Sequence, residues 1–209
     1  MAVQKILSVQ NPLLRRKSKS VITFDRKVER LIADLSDTLK VQKDPVGVGL
    51  AAPQVGKDFR LFIIKSGKNV TPFINPEIVW KSEETNDPRS SLHSSGQATR
   101  GKKRSEQFTL SPDENRDEPE YIMEGCLSLP HYYGPVQRAT KIKVRYQTLT
   151  TQQPSNLITK TQTFSGLPAQ IIQHEVDHLN GILFVDRLLE QGRKLYQWKD
   201  SEWTEVELP

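Results

Sequence analysis

The stretch Gln173-His174-Glu175-Val176-Asp177-His178 carries an H-E-x-x-H pattern near the C-terminal end of the chain. Two histidines four residues apart lie on one face of an α-helix, so both imidazoles can reach a single metal ion. The glutamate after the first histidine projects from nearly the same face, where it can act on a metal-bound water without ligating the metal. The pattern therefore predicts a metal-binding helix with Glu175 as a general base.

The neighbouring residues predict where this helix begins and ends. Pro168 suits a first helical turn, because its missing N–H would have no partner there. Asn180-Gly181 suits the end, because both residues tolerate the left-handed conformation. Apolar residues recur between them at roughly helical spacing, namely Leu167, Ile171, Ile172, Val176 and Leu179.

A third protein ligand is not fixed by the helix itself. The longer peptidase pattern H-E-x-x-H-x-x-G-x-x-H is excluded, because Phe184 occupies the position of its last histidine. A zinc endopeptidase would use a downstream glutamate, for which the candidates are Glu190, Glu202 and Glu205. The other candidate is Cys126, the chain's one cysteine, since metal binding deprotonates a thiol. A single cysteine also excludes an intrachain disulfide and fits a reducing compartment.

Three segments resemble, in order, the motifs of the peptide deformylases. They are Gly47-Val48-Gly49-Leu50-Ala51-Ala52-Pro53-Gln54, Glu124-Gly125-Cys126-Leu127-Ser128 and Gln173-His174-Glu175-Val176-Asp177-His178. The similarity covers most of the chain outside one polar tract and includes Phe73-Ile74-Asn75-Pro76-Glu77. It implies a metal-dependent hydrolase that removes the formyl group from the N-terminal N-formylmethionine of newly made polypeptides and releases formate.

The resemblance also implies a metal centre. Cys126, His174 and His178 are expected to bind one divalent ion and to leave a fourth position open for water. Iron(II) is the family's usual active metal, and Zn(2+), Ni(2+) or Co(2+) are the expected replacements. A thiolate–iron(II) site is expected to be oxygen-sensitive, because the cysteine oxidises once the metal is lost.

Catalytic and substrate-binding roles follow from the same resemblance. Glu175 takes a proton from the attacking water and returns it to the leaving amine. The side-chain amide of Gln54 and the backbone N–H of Leu127 are expected to stabilise the negative oxygen. The formylated peptide is expected to run as an extra strand beside Val48-Gly49 and Gly125.

Three residues near the motifs need separate interpretation. Tyr133 stands where many bacterial members carry an arginine near the peptide backbone, so contacts at the pocket rim are expected to differ. His131 lies close to the cysteine, but no family precedent makes it a ligand. Asp177 is interpreted as a surface or helix-orienting charge rather than a catalytic one.

Length and composition predict one catalytic domain over residues 1–209 in the cytoplasm. A chain of 209 residues is long enough for one buried core. Its net charge of +5 is modest, which does not indicate a specific nucleic-acid partner. No apolar run approaches the roughly 20 residues of a membrane helix. The first residues lack the apolar core of a secretory signal.

Residues 82–120 differ from the rest of the chain and are interpreted as a flexible polar insertion. Only four of them are aliphatic or aromatic, which is too few to offset the entropy of ordering. Six Lys or Arg and nine Asp or Glu give the tract a net charge of −3, and subtracting this from +5 leaves +8 for the remaining residues. A basic body of this kind favours association with the ribosome through electrostatics.

The remaining patterns predict an α+β fold. Asp25 is a candidate N-cap for a helix over about residues 26–41, whose buried stripe contains Val28, Leu31, Ile32, Leu35 and Leu39. Strands are predicted at residues 59–65, 141–149 and 157–164, the last two as a pair. Residues 70–80 predict one or two short strands broken at Asn75-Pro76, and the tail beyond Asp186 has no assigned structure. We expect short antiparallel sheets around a central H-E-x-x-H helix, with the N-terminal helix packed outside.

Two other functions compete with deformylation. A zinc endopeptidase with a glutamate ligand predicts that Cys126→Ser leaves metal binding intact, whereas a deformylase predicts severe loss of metal. A non-catalytic deformylase relative would bind peptide or ribosome only. The second alternative is disfavoured because each catalytic motif position holds the expected residue type.

Overall fold

A computed structural model describes residues 2–67, 69–87, 109–110, 121–149 and 157–207. Its helices are α1 (Arg26–Val41), α2 (Leu167–Leu179) and α3 (Phe184–Glu190), with 3-10 turns η1 (Pro12–Arg15) and η2 (Ala52–Val55). Its strands are β1 (Gly49–Ala51), β2 (Leu61–Ser66), β3 (Asn69–Lys81), β4 (Thr109–Leu110), β5 (Tyr121–Ile122), β6 (Glu124–Cys126), β7 (Leu129–Gly134), β8 (Lys141–Leu149), β9 (Leu157–Ser165), β10 (Leu195–Lys199) and β11 (Glu202–Val206).

The strands form antiparallel sheets, which together with the few helices confirm an α+β fold. One sheet has five strands in the order β1-β2-β3-β8-β9, and another has four in the order β11-β10-β7-β6. Strands β4 and β5 pair separately. The predicted pairing of residues 141–149 with 157–164 is present as a continuous β8–β9 ladder. Strands β1 and β6, which lie within two of the sequence motifs, are each at the edge of a sheet.

Helix α1 follows the sequence prediction closely. The Asp25 side chain accepts hydrogen bonds from the backbone N–H groups of Lys27 and Val28 at 2.9 and 3.0 Å, which satisfies two donors of the first turn. The apolar stripe then packs on one face of the five-stranded sheet, where β1, β2 and β3 contribute buried side chains. This packing places the N-terminal helix against the strand that carries Gly49.

Helix α2 packs against the opposite face of the same sheet. Successive residues of β2 point to opposite faces, so Leu61 and Ile63 contact the α1 side whereas Phe62 contacts the α2 side. Phe73 stacks between Phe62 and Tyr146, with ring centroids 4.8 and 4.3 Å away. Helix α2 therefore packs on aromatic and aliphatic side chains of the sheet, and this packing fixes its position.

The tail beyond Asp186 is structured, and it completes the second sheet. Helix α3 ends at Glu190, and β10 and β11 then pair with each other across Asp200-Ser201. Strand β10 also pairs with β7, and the Trp203 ring packs edge-on against Tyr133 at 5.4 Å. The C-terminal hairpin thus supports the strand that follows Cys126.

The predicted break at Asn75-Pro76 is wrong. Strand β3 continues from Asn69 to Lys81 through a register shift between Ile74 and Glu77. Asn75 adopts a left-handed φ of 49° there, and its side chain exchanges two 2.8 Å hydrogen bonds with the backbone of Val21. The side-chain bonds stabilise a bulge within the strand instead of ending it.

The polar tract falls mostly outside the described residues. Its first part, up to Asp87, belongs to the folded body, because Thr85 bridges to Ala139 and the Asn86 N–H donates to the Arg138 carbonyl at 2.9 Å. Residues 82–87 of the predicted insertion thus pack on the described body, whereas residues 88–108 and 111–120 lie outside the described residues. In the parts of the chain that the structure describes, no helix combines the length and apolar character needed to cross a membrane.

Candidate active site

Helix α2 brings the two motif histidines to one buried point, as the spacing predicts. The helix begins at Leu167 with Pro168 in its first turn and ends at Leu179, and Gly181 then has a left-handed φ of 75°. The Nε2 atoms of His174 and His178 lie 3.2 Å apart. Both rings are buried, with 9% and 1% of their surface exposed.

Cys126 supplies the third potential donor atom at this point. It is the last residue of β6, and its Sγ lies 3.3 Å from His178 Nε2. The three donor atoms of Cys126, His174 and His178 all lie within 4.8 Å of one another. The alternative ligands Glu190, Glu202 and Glu205 are exposed instead. None of them belongs to the donor group found among the described residues.

The donor atoms fit a divalent metal in both spacing and chemistry. Tetrahedral coordination with metal–sulfur bonds of about 2.3 Å and metal–nitrogen bonds of about 2.0–2.1 Å puts ligand atoms roughly 3.3–3.6 Å apart. The observed 3.2 and 3.3 Å separations lie close to this range. Burial alone would raise the pKa of the Cys126 thiol, but His178 and His174 lower it well below its ordinary value. The surroundings thus favour the thiolate, which is the form that binds metals.

A buried ion network contacts His174 through Nδ1, the ring nitrogen on the side away from the donor group. Its Nδ1 lies 2.7 Å from Glu124 Oε1, and Arg138 donates to both oxygens of Glu124 at 2.7 and 3.0 Å. Burial would raise the pKa of Glu124, but Arg138 and His174 hold it well below its usual value. An ionised carboxylate on Nδ1 fixes the ring so that Nε2 faces the centre.

Asp177 extends the same network, so of its two interpretations the surface charge is wrong, whereas a charge that orients the helix agrees with its contacts. Only 6% of the residue is exposed. It accepts hydrogen bonds from Arg138 at 2.5 Å and from Arg187 at 2.7 and 3.0 Å. Against the effect of burial, these two arginines lower the pKa of Asp177. Asp177 on α2 is therefore hydrogen-bonded to Arg138, the same arginine that donates to Glu124.

Glu175 lines the same cavity as Cys126 and His174 and is 3% exposed. Its Oε2 is buried and finds no hydrogen-bond partner among the described residues. Burial raises the pKa of Glu175 from 4.5 to about 7, where a carboxyl group can both accept and release a proton near neutral pH. A methyl group on Gly49 would lie 2.9 Å from Glu175 Cδ and closer still to Oε1, so only glycine leaves room for the carboxylate.

The Gln54 side chain is fixed with its amino group toward the centre. Its Oε1 accepts from the Ala51 N–H at 2.8 Å, which leaves Nε2 to donate to Ser128 Oγ at 3.2 Å and toward Cys126 Sγ at 3.5 Å. The side chain is 2% exposed. Leu127, whose backbone N–H is the other predicted donor, lies in the turn directly after Cys126.

These groups surround a cavity of about 180 Å³. The predicted substrate-binding residues Val48, Gly49 and Gly125 line it, together with Gln54, Leu127, His131, Tyr133, His174 and Glu175. Edge strands β1 and β6 both contribute residues that line the cavity. His131 lines the rim, but its Nδ1 lies 3.9 Å from Asp44 and it is not part of the donor group.

Sequence reasoning missed the residues that orient the donors. Glu124 was part of a quoted motif, yet nothing in the pattern assigned it a partner on α2. Arg138 and Arg187 carry no local signal, because their partners are distant along the chain. The one available signal was Glu124 itself, because a carboxylate within a buried motif is expected to have a cationic partner.

Comparisons with known proteins all indicate one family. A family model described as polypeptide deformylase matches residues 3–194. The chain is 32% identical over 209 residues to a peptide deformylase of Desulfotalea psychrophila, covering 97% of this chain and 98% of that one. It is 34% identical over 190 residues to a peptide deformylase of Dictyoglomus turgidum, covering 91% and 95%. A crystal structure of a peptide deformylase from Legionella pneumophila matches with a TM-score of 0.63 at 33% identity, covering 89% of this chain and 86% of that one.

Proposed function

The chain belongs to the polypeptide deformylase family, and on that premise we propose that the centre formed by Cys126, His174 and His178 is its catalytic site. The protein is a metal-dependent hydrolase that removes the formyl group from the N-terminal methionine of newly made polypeptides. One observation carries the assignment of the site. The donor atoms of Cys126, His174 and His178 lie together. Cys126 and His174 border one cavity with Gln54 and with Glu175, whose Oε2 has no hydrogen-bond partner among the described residues.

Cys126, His174 and His178 would hold one divalent metal ion, which lowers the pKa of a bound water and polarises the formyl carbonyl. Glu175 takes the water proton as general base, since its carboxyl lies in the same cavity as Cys126 and His174. It then delivers that proton to the nitrogen of the leaving amine. Burial keeps this carboxyl away from bulk water during both transfers.

Gln54 and Leu127 act on the oxygen that becomes negative as the carbonyl is attacked. The Ala51 N–H holds Gln54 Oε1, so the amide can offer only Nε2 toward the centre. The Leu127 N–H follows Cys126 directly in the chain and borders the same cavity. Donors fixed in this way stabilise a developing oxyanion without reorganising.

The peptide part of the substrate adds as a strand between β1 and β6. Both are edge strands that border the cavity, and Val48, Gly49 and Gly125 line it. A backbone placed there can hydrogen-bond on both sides, as in other cases of strand addition. Tyr133 packs against Gly125 at the rim, which makes that part of the site aromatic.

The proposal includes α2 as the central helix of one domain spanning residues 1–209. Its apolar face packs on the five-stranded sheet. Its Asp177 accepts hydrogen bonds from Arg138, which lies between β7 and β8, and from Arg187 on α3. We assign iron(II) as the metal, with Zn(2+), Ni(2+) or Co(2+) as replacements. The mixed thiolate and imidazole donor set suits all four ions.

The proposed setting is the cytoplasm, beside the ribosome. The substrate is a nascent chain, and a net charge of +8 outside the polar tract favours an RNA-rich surface. Salt-dependent co-sedimentation of the protein with ribosomes tests this association. Co-sedimentation that does not weaken as salt rises would contradict the electrostatic basis.

The decisive experiment is deformylation of formyl-Met-Ala-Ser by protein prepared without oxygen and loaded with iron(II). Formate release is expected, with loss of activity on exposure to air or chelator. Glu175→Ala should abolish turnover while metal content stays unchanged. Absence of formate release by folded, metal-loaded wild-type protein would favour a deformylase relative that binds peptide without hydrolysing it.

Cys126→Ser provides the matched test of the metal centre. The substitution keeps the size of the side chain but replaces a thiolate with a hydroxyl, which is a far weaker ligand at neutral pH. Metal content measured by elemental analysis is expected to fall severely. Full retention of metal would contradict the assignment of Cys126 as a ligand.

A further inference from the structure

Gln170 is a buried polar side chain in the cavity that the proposed reaction does not use. It is 6% exposed and lines the same cavity as His174 and Glu175. Its backbone N–H donates to the Gly166 carbonyl at 3.1 Å. Its side-chain amide has no hydrogen bond to a described residue, and its polar atoms are not sealed from solvent. The amide is therefore available to a ligand that enters the cavity and displaces solvent.

The neighbours of Gln170 give the cavity wall its character. Leu167 and Ile171 lie on the same side of α2 and border the cavity with apolar carbon. Gln170 is therefore a polar group on an otherwise apolar part of the wall. A wall of this kind suits an apolar side chain that carries one hydrogen-bond acceptor.

The distance along α2 identifies which substrate atom Gln170 would meet. Gln170 precedes His174 by four residues, so it lies on the same helix face about 6 Å nearer the N-terminus. In formylmethionine the sulfur follows the formyl carbon by five bonds, a reach on the order of 6 Å when extended. If the formyl group lies at Cys126, His174 and His178, the methionine sulfur can therefore lie at the same height along α2 as the Gln170 amide.

We propose that Gln170 is a specificity-determining residue whose side-chain amide donates a hydrogen bond to the δ-position of the first side chain. The inference rests on the proposed deformylase function. A thioether sulfur is a weak acceptor, whereas the methylene of norleucine at the same position accepts nothing. A sulfoxide oxygen accepts strongly, so the pocket also admits formylmethionine sulfoxide.

The test compares kcat/KM for three peptides that differ only at this position: formyl-Met-Ala-Ser, formyl-norleucyl-Ala-Ser and formyl-methionine-sulfoxide-Ala-Ser. Wild-type protein is expected to prefer methionine over norleucine by about three-fold and to hydrolyse the sulfoxide within about ten-fold of methionine. Gln170→Leu keeps a similar volume without the amide. It should abolish the preference over norleucine and reduce sulfoxide turnover at least ten-fold relative to methionine.

Two controls keep the outcome interpretable. Leu189→Ala, at an exposed position of α3 that does not line the cavity, should leave both substrate ratios within about two-fold of wild type. A wild-type ratio of one between methionine and norleucine would overturn the inference even if Gln170→Leu failed to fold. Equal ratios in Gln170→Leu and wild type would also overturn it. Loss of turnover on all three peptides by wild type would instead defeat the proposed function.

Discussion

Replacing Arg138 with methionine tests whether the buried ion network orients the metal ligands. Arg138 bonds Glu124 through two nitrogens and Asp177 through the third, and its side chain is 6% exposed. In Arg138→Met, Asp177 retains Arg187, whereas Glu124 is left with His174 alone. Removing one partner of a buried ion pair costs about 3–5 kcal/mol, so the free energy of unfolding should fall by that amount.

Metal affinity should fall together with stability. Without Arg138, the buried Glu124 is no longer held as an ion, and its hold on His174 Nδ1 weakens. Loss of such a supporting contact typically reduces metal affinity about 10–100-fold. Urea unfolding of the metal-loaded protein measures the first effect, and titration against a competing chelator measures the second.

Arg187→Met is the matched control, because Arg187 contacts the same Asp177 but not Glu124. Its side chain is 27% exposed, so we expect a smaller loss of stability, about 1–2 kcal/mol, and nearly unchanged metal affinity. Wild-type metal affinity in Arg138→Met would refute the orienting role of Glu124. An equal loss of affinity in both variants would refute it as well.

Three further predictions follow from individual contacts. Gly49→Ala places a methyl group against the Glu175 carboxylate, so kcat/KM should fall about 100-fold with metal content unchanged; normal turnover would show that the carboxylate position is not critical. Because burial raises the pKa of Glu175 from 4.5 to about 7, ionisation of this carboxyl destabilises the metal-free folded state progressively between those pH values. Metal-free Glu175→Gln should therefore be more stable than wild type by on the order of 3 kcal/mol near pH 8 and by little near pH 4, as measured by urea unfolding; the same difference at both pH values would contradict this. Phe73→Ala removes a 2%-exposed ring that stacks on Phe62 and Tyr146, so unfolding in urea should show a loss of about 3–5 kcal/mol, and a loss under 1 kcal/mol would mean that the ring stack contributes little.

Helical elements were predictable from the sequence because their signals are local. Asp25 caps its helix through N–H groups two and three residues later, so the cap and the apolar stripe are both visible in a short window. Pro168 and Gly181 bracket α2 in the same way. The histidine spacing within that helix fixes a shared face without further information.

Strand boundaries depended on contacts that no short window contains. Asn75 keeps β3 continuous because its side chain bonds Val21, 54 residues earlier. The β10–β11 hairpin turns through Asp200 and Ser201, which both have positive φ values, 52° and 63°. A two-residue turn of this kind is usually signalled by Asn-Gly or Asp-Gly, so Asp-Ser gave no warning.

The candidate metal ligands were predictable from the sequence, whereas the residues that orient them were not. Cys126, His174 and His178 stand in motifs whose residue types alone suggest a metal centre. Arg138 and Arg187 find Asp177 only after the chain has folded, 39 and 10 residues away respectively. The charge state of Glu175 likewise depends on how deeply the fold buries it.

The division of the site along the chain has a consequence for engineering. Residues 2–87 carry Gly49 and Gln54, whereas residues 109–207 carry all three metal donors and Glu175. The β3–β8 ladder, the packing of α2 on β1 and β2 and the Asn86–Arg138 bonds all join the two portions. The chain could be divided between residues 88 and 108 and its two portions expressed separately, each fused to one of two other proteins. We expect deformylase activity to return when those two proteins bind each other and bring the portions together.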